Sequence, residues 1–162
     1  MAETAFYKYG RKLMNYKIMF RTRLIILNAL VRSRLIYGCQ VWTLSRRQID
    51  QLNSIYYKML RKMVRGGFNR RNADAEEWSF KITNLQLLEI CKTESIESFI
   101  KRQQQKYLAH LIRQTDDSIT KRAAFNNNVV KRPGRQITFI KSALGSEMMI
   151  HEFAQQAKLN EF

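Results

Sequence analysis

Residues 35–67 read LIYGCQVWTLSRRQIDQLNSIYYKMLRKMVRGG, and the way this stretch divides decides the fold. It opens on an apolar helix end, passes through a short aromatic connector, and continues as one long two-faced helix. Ser45 and Gln48 stand at capping-box spacing, so the helix is expected to open at Ser45. Gly66 and Gly67 are expected to close it, because glycine accepts the left-handed turn that ends a helix. Between those limits Ile49, Leu52, Tyr56, Met59 and Met63 recur every three or four residues. At about 100° per residue they share one side, with Leu60 beside them. Arg47, Lys58, Arg61 and Arg65 fall within about 60° of one another on the opposite side. One face is patterned for burial and the other for negative charge.

Outward from that helix the same rhythm continues. Residues 3–14 suggest a first helix, with Phe6 and Leu13 inward, Tyr9 a further candidate for that side, and Lys8, Arg11 and Lys12 outward. Gly10 weakens it by about 1 kcal/mol relative to alanine. From 22 to 37, Leu24, Ile25, Ile26, Leu27, Leu30, Val31, Leu35 and Ile36 point nearly all round, the pattern of a helix packed on several sides. Residues 1–67 are therefore expected to form a three-helix bundle with this second helix in the middle. Residues 68–82 read as a connector, pinned by Trp78 and Phe80. A helical region over 83–162 follows. It holds a capping box at Thr83 and Gln86, a long helix over 94–113, a short helix capped by Asp116 or Asp117, a basic turn at 131–135 where Pro133 and Gly134 forbid helix, and one or two final helices with Ser146 as a candidate cap. With one proline and six glycines in 162 residues, the fold class is all-α.

The charge is extreme. The net value is +16 with a pI near 10.3, and a chain this basic is expected to meet a polyanion. Residues 1–70 carry 15 Lys/Arg against 2 Asp/Glu, or +13, whereas residues 71–162 carry 14 against 11, or +3. The first part is thus the polyanion-facing one. Cys39 and Cys91 make no disulfide framework, and the opening residues lack an apolar signal core. An intracellular setting, nucleus or cytoplasm, is the expectation. Arg32 and Arg34 interrupt the longest apolar run, so no membrane span is expected.

The pattern of residues also resembles a known family. Leu35-Ile36-Tyr37-Gly38, then Trp42-Thr43-Leu44, then a helix closing on Leu60-Arg61-Lys62-Met63, is similar to the region just after the palm of non-LTR (LINE-type) retrotransposon reverse transcriptases. The order continues with Leu108-Ala109-His110-Leu111-Ile112-Arg113, Asp116-Asp117, Lys121-Arg122 and Lys131-Arg132-Pro133-Gly134-Arg135, so the resemblance covers about residues 3–144. Ala109 stands where the family pattern has glycine, which removes a close-approach position. The resemblance implies a polymerase thumb for residues 1–67 and the region downstream of the thumb for the remainder. Tyr37 and Trp42 are then expected to be architectural.

Several chemistries find no support in the residues. A polymerase palm holds two metal ions with carboxylates, two of them adjacent in an aromatic-x-Asp-Asp turn. The Asp-Asp pair here, Asp116-Asp117, follows Gln114-Thr115 and lacks that aromatic, so no catalytic residue is assigned and the isolated chain is not expected to be an enzyme. Cys39, Cys91, His110 and His151 are separated by 52, 19 and 41 residues, unlike zinc-ligand spacings, so neither a metal nor any other cofactor is expected. Cys39 is expected to pack beside Trp42, and His110 to be structural or to face phosphate. Gly-x-Ser-x-Gly and phosphate-loop patterns are absent.

Binding remains. Cations on one side of a rigid helix can neutralise phosphates without reading sequence. Arg47, Lys58, Arg61, Lys62 and Arg65 are the expected contacts, with Lys131, Arg132 and Arg135 of the basic turn. The expected partner is an RNA–DNA hybrid or another RNA or DNA duplex. Tyr7, Tyr9, Tyr16, Tyr56 and Tyr57 are candidates to stack on bases, although Tyr56 lies on the core face. The alternatives are a helical protein-interaction module, dimerising or meeting the palm and fingers of a parent polymerase through exposed apolar surface, and an amphipathic binder of membrane surfaces.

Overall fold

In a computed structural model the structure describes residues 2–68, 82–125, 139–144 and 150–158. Among these residues the chain is all-α, with no strand.

The first expected helix is broken in two. α1 (Ala2–Lys8) and α2 (Gly10–Leu13) meet at Tyr9, whose φ of −94° and ψ of 8° leave the helical region. The break falls beside Gly10, where helix preference is weakest, and both Phe6 and Leu13 are buried on either side of it. The second expected helix appears as α3 (Phe20–Leu27), a π turn (Asn28–Arg32) and α4 (Ser33–Leu35) in succession. Its burial all round is corrected. Arg23, Leu27 and Val31, four residues apart, form one buried stripe, whereas Ile25 is 60% exposed. α1 packs on the π turn and α2 on α3, and at helical spacing Ile25 points away from that stripe. Tyr37, expected to be architectural, follows at 86% exposed. Gly38 takes φ 73°, a conformation that favours glycine, and a 3-10 turn (Cys39–Val41) follows.

α5 (Arg46–Phe68) is the long helix. Tyr56, Met59, Leu60, Met63 and Val64 are buried along it, while Ile49 and Leu52 are half-buried. The expected stop at Gly66 and Gly67 is also corrected: the helix runs through both. Glycine permits the left-handed turn without requiring it, and a long helix already hydrogen-bonded and packed on one side can continue through two such residues.

α6 (Asn84–Cys91) opens as expected. The Gln86 amide donates to Thr83 Oγ1 at 3.3 Å, and the Thr83 amide donates back to Gln86 Oε1 at 3.0 Å. It ends on Lys92 at φ 46°, with the Thr93 amide on the Leu88 carbonyl and the Lys92 amide on that of Glu89, both 3.0 Å. That pair of bonds is a Schellman closure, with lysine in the place usually held by glycine. α7 (Ile96–Arg113), α8 (Ile119–Phe125), α9 (Phe139–Leu144) and α10 (Ile150–Lys158) complete the described elements. Asp116 does not cap α8. It pairs with Lys121 at 2.8 Å, and the lysine also donates to the Ile112 and Gln114 carbonyls, closing the end of α7. The basic turn at 131–135, Trp78, Phe80 and the Ser146 cap lie outside the described residues.

The chain forms two compact units: Met1–Tyr37 with Arg46–Glu97, and Gly38–Ser45 with Ser98–Phe162. Packing thus groups α6 and the first residues of α7 with α5, a different grouping from the division expected at 68–82. The first core is built on Phe6, Leu27, Tyr56, Leu60, Met63 and Ile96. Within it the Tyr56 hydroxyl lies 3.1 Å from the Asn28 side-chain oxygen, to which it donates, and 3.2 Å from Thr93 Oγ1. In the second unit Leu108, Ala109, Ala143, Leu144, Phe153 and Ala157 are buried together. Ala109, the departure from the family pattern, is 1% exposed there. Gln104, also 1% exposed, donates to the Trp42 carbonyl at 2.7 Å and ties the aromatic connector to α7.

Candidate nucleic-acid interface

α5 carries five of the eight expected contact residues, and helical spacing returns them to one side. Arg47 and Lys58 are exposed, separated by about 16 Å of helix. Neither has a described ion-pair partner. Their neighbour Arg46 differs: it pairs with Asp50 at 3.3 Å and with Glu97 at 2.8 Å, so its charge is already answered. Arg61 is half-buried and donates to the Asn84 side-chain oxygen at 2.6 Å, a neutral partner at the start of α6. Lys62 is exposed and donates to the Tyr7 hydroxyl at 2.7 Å. Arg65 sits in the same helix, but its side chain is outside the described residues, as are Lys131, Arg132 and Arg135. Among the described acids, none is paired with Arg47, Lys58, Arg61 or Lys62.

α1 changes the shape of this face. It runs beside α5 and leaves a groove of about 390 Å³. Phe6 and Met59, 3% and 4% exposed, form its floor with Ile55, while Lys58, Arg61 and Lys62 stand along one wall and Glu3 along the other. Tyr7 lies at the rim, 66% exposed yet held in place. Its ring meets Phe6 edge-on at 5.8 Å between centroids, and its hydroxyl accepts from Lys62. The lysine nitrogen sits at the hydroxyl end of the ring, 4.8 Å from the centroid. Three cations therefore line a groove with an apolar bottom rather than standing on an open ridge.

Tyr56 is withdrawn from stacking, since it is 1% exposed and bonded within the core; Tyr7 and Tyr16 remain open to solvent. Burial pushes the Cys91 thiol up to about 11 and raises that of Cys39 as well, and both cysteines are free and buried. His110 is exposed and its ring bonds to Gln114. Among the described residues no three His, Cys, Asp or Glu side chains gather as metal ligands would, and no helix is long and apolar enough to cross a membrane.

Two features of the first unit were not expected from the sequence. Arg23 counts toward the net charge but is 5% exposed, so it cannot reach a phosphate. Its spacing of four from Leu27 and eight from Val31 was the available signal. The Tyr7–Lys62 bond joins residues 55 apart and leaves no trace in local spacing. Comparison of the chain with protein-family models, with curated proteins and with solved structures gives no match.

Proposed function

We propose that the chain is a helical fragment of the thumb and following region of a LINE-type reverse transcriptase, holding RNA–DNA hybrid or other duplex nucleic acid without reading its sequence. One observation carries this reading: Arg47, Lys58, Arg61 and Lys62 occupy one side of α5 with no described acid paired to them, while adjacent Arg46 is neutralised. A rigid helix with unanswered cations at intervals suits a phosphate rail, and displacing counterions supplies affinity regardless of base. The order of motifs over residues 3–144 supports the ancestry. The carboxylate pattern of a palm does not occur in the sequence, so the reading is of holding and not of polymerisation.

The test is equilibrium binding of a fluorescently labelled RNA–DNA hybrid. Affinity should fall tenfold or more between 50 and 200 mM salt, as several phosphate contacts require. Arg47→Glu with Lys58→Glu should weaken binding at least tenfold with helicity unchanged, because both side chains are exposed and support no packing. Unchanged affinity in that double variant would remove the mechanism.

A second reading, a protein-interaction module, is favoured by Met19, Ile25 and Leu85, at 73%, 60% and 80% exposed. It expects self-association or partner binding that high salt leaves intact.

A further inference from the structure

We propose that the groove between α1 and α5 is a subsite for one unpaired nucleotide of a single strand. Its base would lie against Tyr7 and the apolar floor, and its phosphate among Lys58, Arg61 and Lys62. This rests on the nucleic-acid reading above and narrows it to a class of ligand.

A duplex presents phosphates and sugar edges to a helix laid along it, with its base faces stacked inside. The tips of Lys58 and Lys62 could serve such a rail, but the floor of Phe6, Ile55 and Met59 would face nothing. An unpaired base has an exposed π-face and an apolar body that match a floor of this kind, and a phosphate one bond system away that matches the cationic wall. The volume of about 390 Å³ falls in the range of small-molecule sites and suits one nucleotide, not a helix of paired bases.

Tyr7 supplies the second observation. A tyrosine two-thirds exposed ordinarily turns freely, and ordering it on binding costs entropy. Here the ring is packed in a T-shaped pair with Phe6, and its hydroxyl is held by Lys62, so an exposed aromatic ring is already fixed in the lining of the groove. Glu3, on the opposite wall, repels phosphate. It therefore favours one polarity, with the base toward α1 and the phosphate toward α5. The preferred ligand on this basis is a hybrid with a single-stranded overhang, the paired part along α5 and the first unpaired base in the groove.

The experiment uses the full chain with three labelled probes at 50 mM salt: a uridine dodecamer, a blunt RNA–DNA hybrid of equal length, and the hybrid with an overhang. Tyr7→Ala should weaken the dodecamer and the overhang hybrid about tenfold, the scale of one base–aromatic stack, and the blunt hybrid less than twofold. Tyr7→Phe, which keeps the ring, should retain most of the single-strand affinity. Millimolar uridine 5′-monophosphate should displace the dodecamer, and equimolar inorganic phosphate should not. If Tyr7→Ala lowers helicity, this competition decides alone. Equal loss on blunt and overhang probes, no loss on either, or displacement by phosphate as effective as by the nucleotide overturns the subsite while hybrid binding stands. Failure of the unaltered chain to bind any probe overturns both.

Discussion

Arg23 is the charged side chain that folding removes from water among the described residues. Its guanidinium donates to the Leu13 carbonyl at 3.1 Å and to the Met63 carbonyl at 3.5 Å, and lies 5.3 Å from the Phe20 ring centroid; its Nε has no partner. It joins the end of α2 to the last turns of α5 through carbonyl groups, with no described acid to offset its charge. Burial accordingly lowers its pKa. Two costs oppose each other here, the desolvated cation and the carbonyls it satisfies. Arg23→Ala should lose both bonds and leave a cavity, costing about 2–4 kcal/mol in urea unfolding. Arg23→Met fills the same space without a charge and should cost about half as much or less. Equal damage from the two would mean that the hydrogen bonds outweigh the buried charge. Cys91 gives a signed pH effect at the same scale. Unfolded, its thiol loses the proton near 9; folded, burial holds it to about 11. Between these values the unfolded chain binds fewer protons, so stability should fall as pH rises from 9 to 11. Urea midpoints across that range should fall less steeply for Cys91→Ala than for the unaltered protein.

The helices show which local signals survive packing. The Thr83–Gln86 box was legible because both of its bonds lie within one turn. The Ser45–Gln48 spacing placed the opening of α5 to the residue, since that helix begins at Arg46. The glycine signal at 66 and 67 misled, because a permissive residue records what the backbone can do and not what it does. Gly38 and Lys92 are the converse pair. Glycine stands at φ 73° where left-handed geometry favours it, while lysine takes φ 46°, a backbone conformation that costs a residue with a Cβ. Lys92→Gly should therefore raise stability by about 0.5–1 kcal/mol, the left-handed penalty less the extra freedom of glycine in the unfolded chain. Thermal unfolding would register this as a higher midpoint, and a lowered midpoint would show that the lysine makes a compensating contact.

At the scale of the molecule, charge is the dominant quantity, and its distribution separates usable from spent cations. Arg23 is buried, Arg46 is paired with acids, and Lys121 closes a helix end. On α5, Arg47, Lys58, Arg61 and Lys62 remain for a ligand, with no described acid paired to them. Arg47→Gln should reduce the slope of log affinity against log salt for a hybrid by about one, the worth of one phosphate contact. Arg46→Gln should leave that slope nearly unchanged. If the two variants behave alike, the ion pairs of Arg46 do not hold in solution and the face is wider than drawn.

The sequence by itself determined the helical class, the core side of α5 and the sidedness of its cations. Each of these follows from the turn-by-turn geometry of a single helix, in which spacing along the chain fixes direction around the axis. Tertiary structure alone decided that α1 would lie beside α5, that Tyr7 would meet Lys62 across 55 residues, and that Arg23 would be lost to solvent. Those outcomes depend on which buried faces find each other, a choice made among distant segments by packing and hydrogen-bond satisfaction. No local period encodes it.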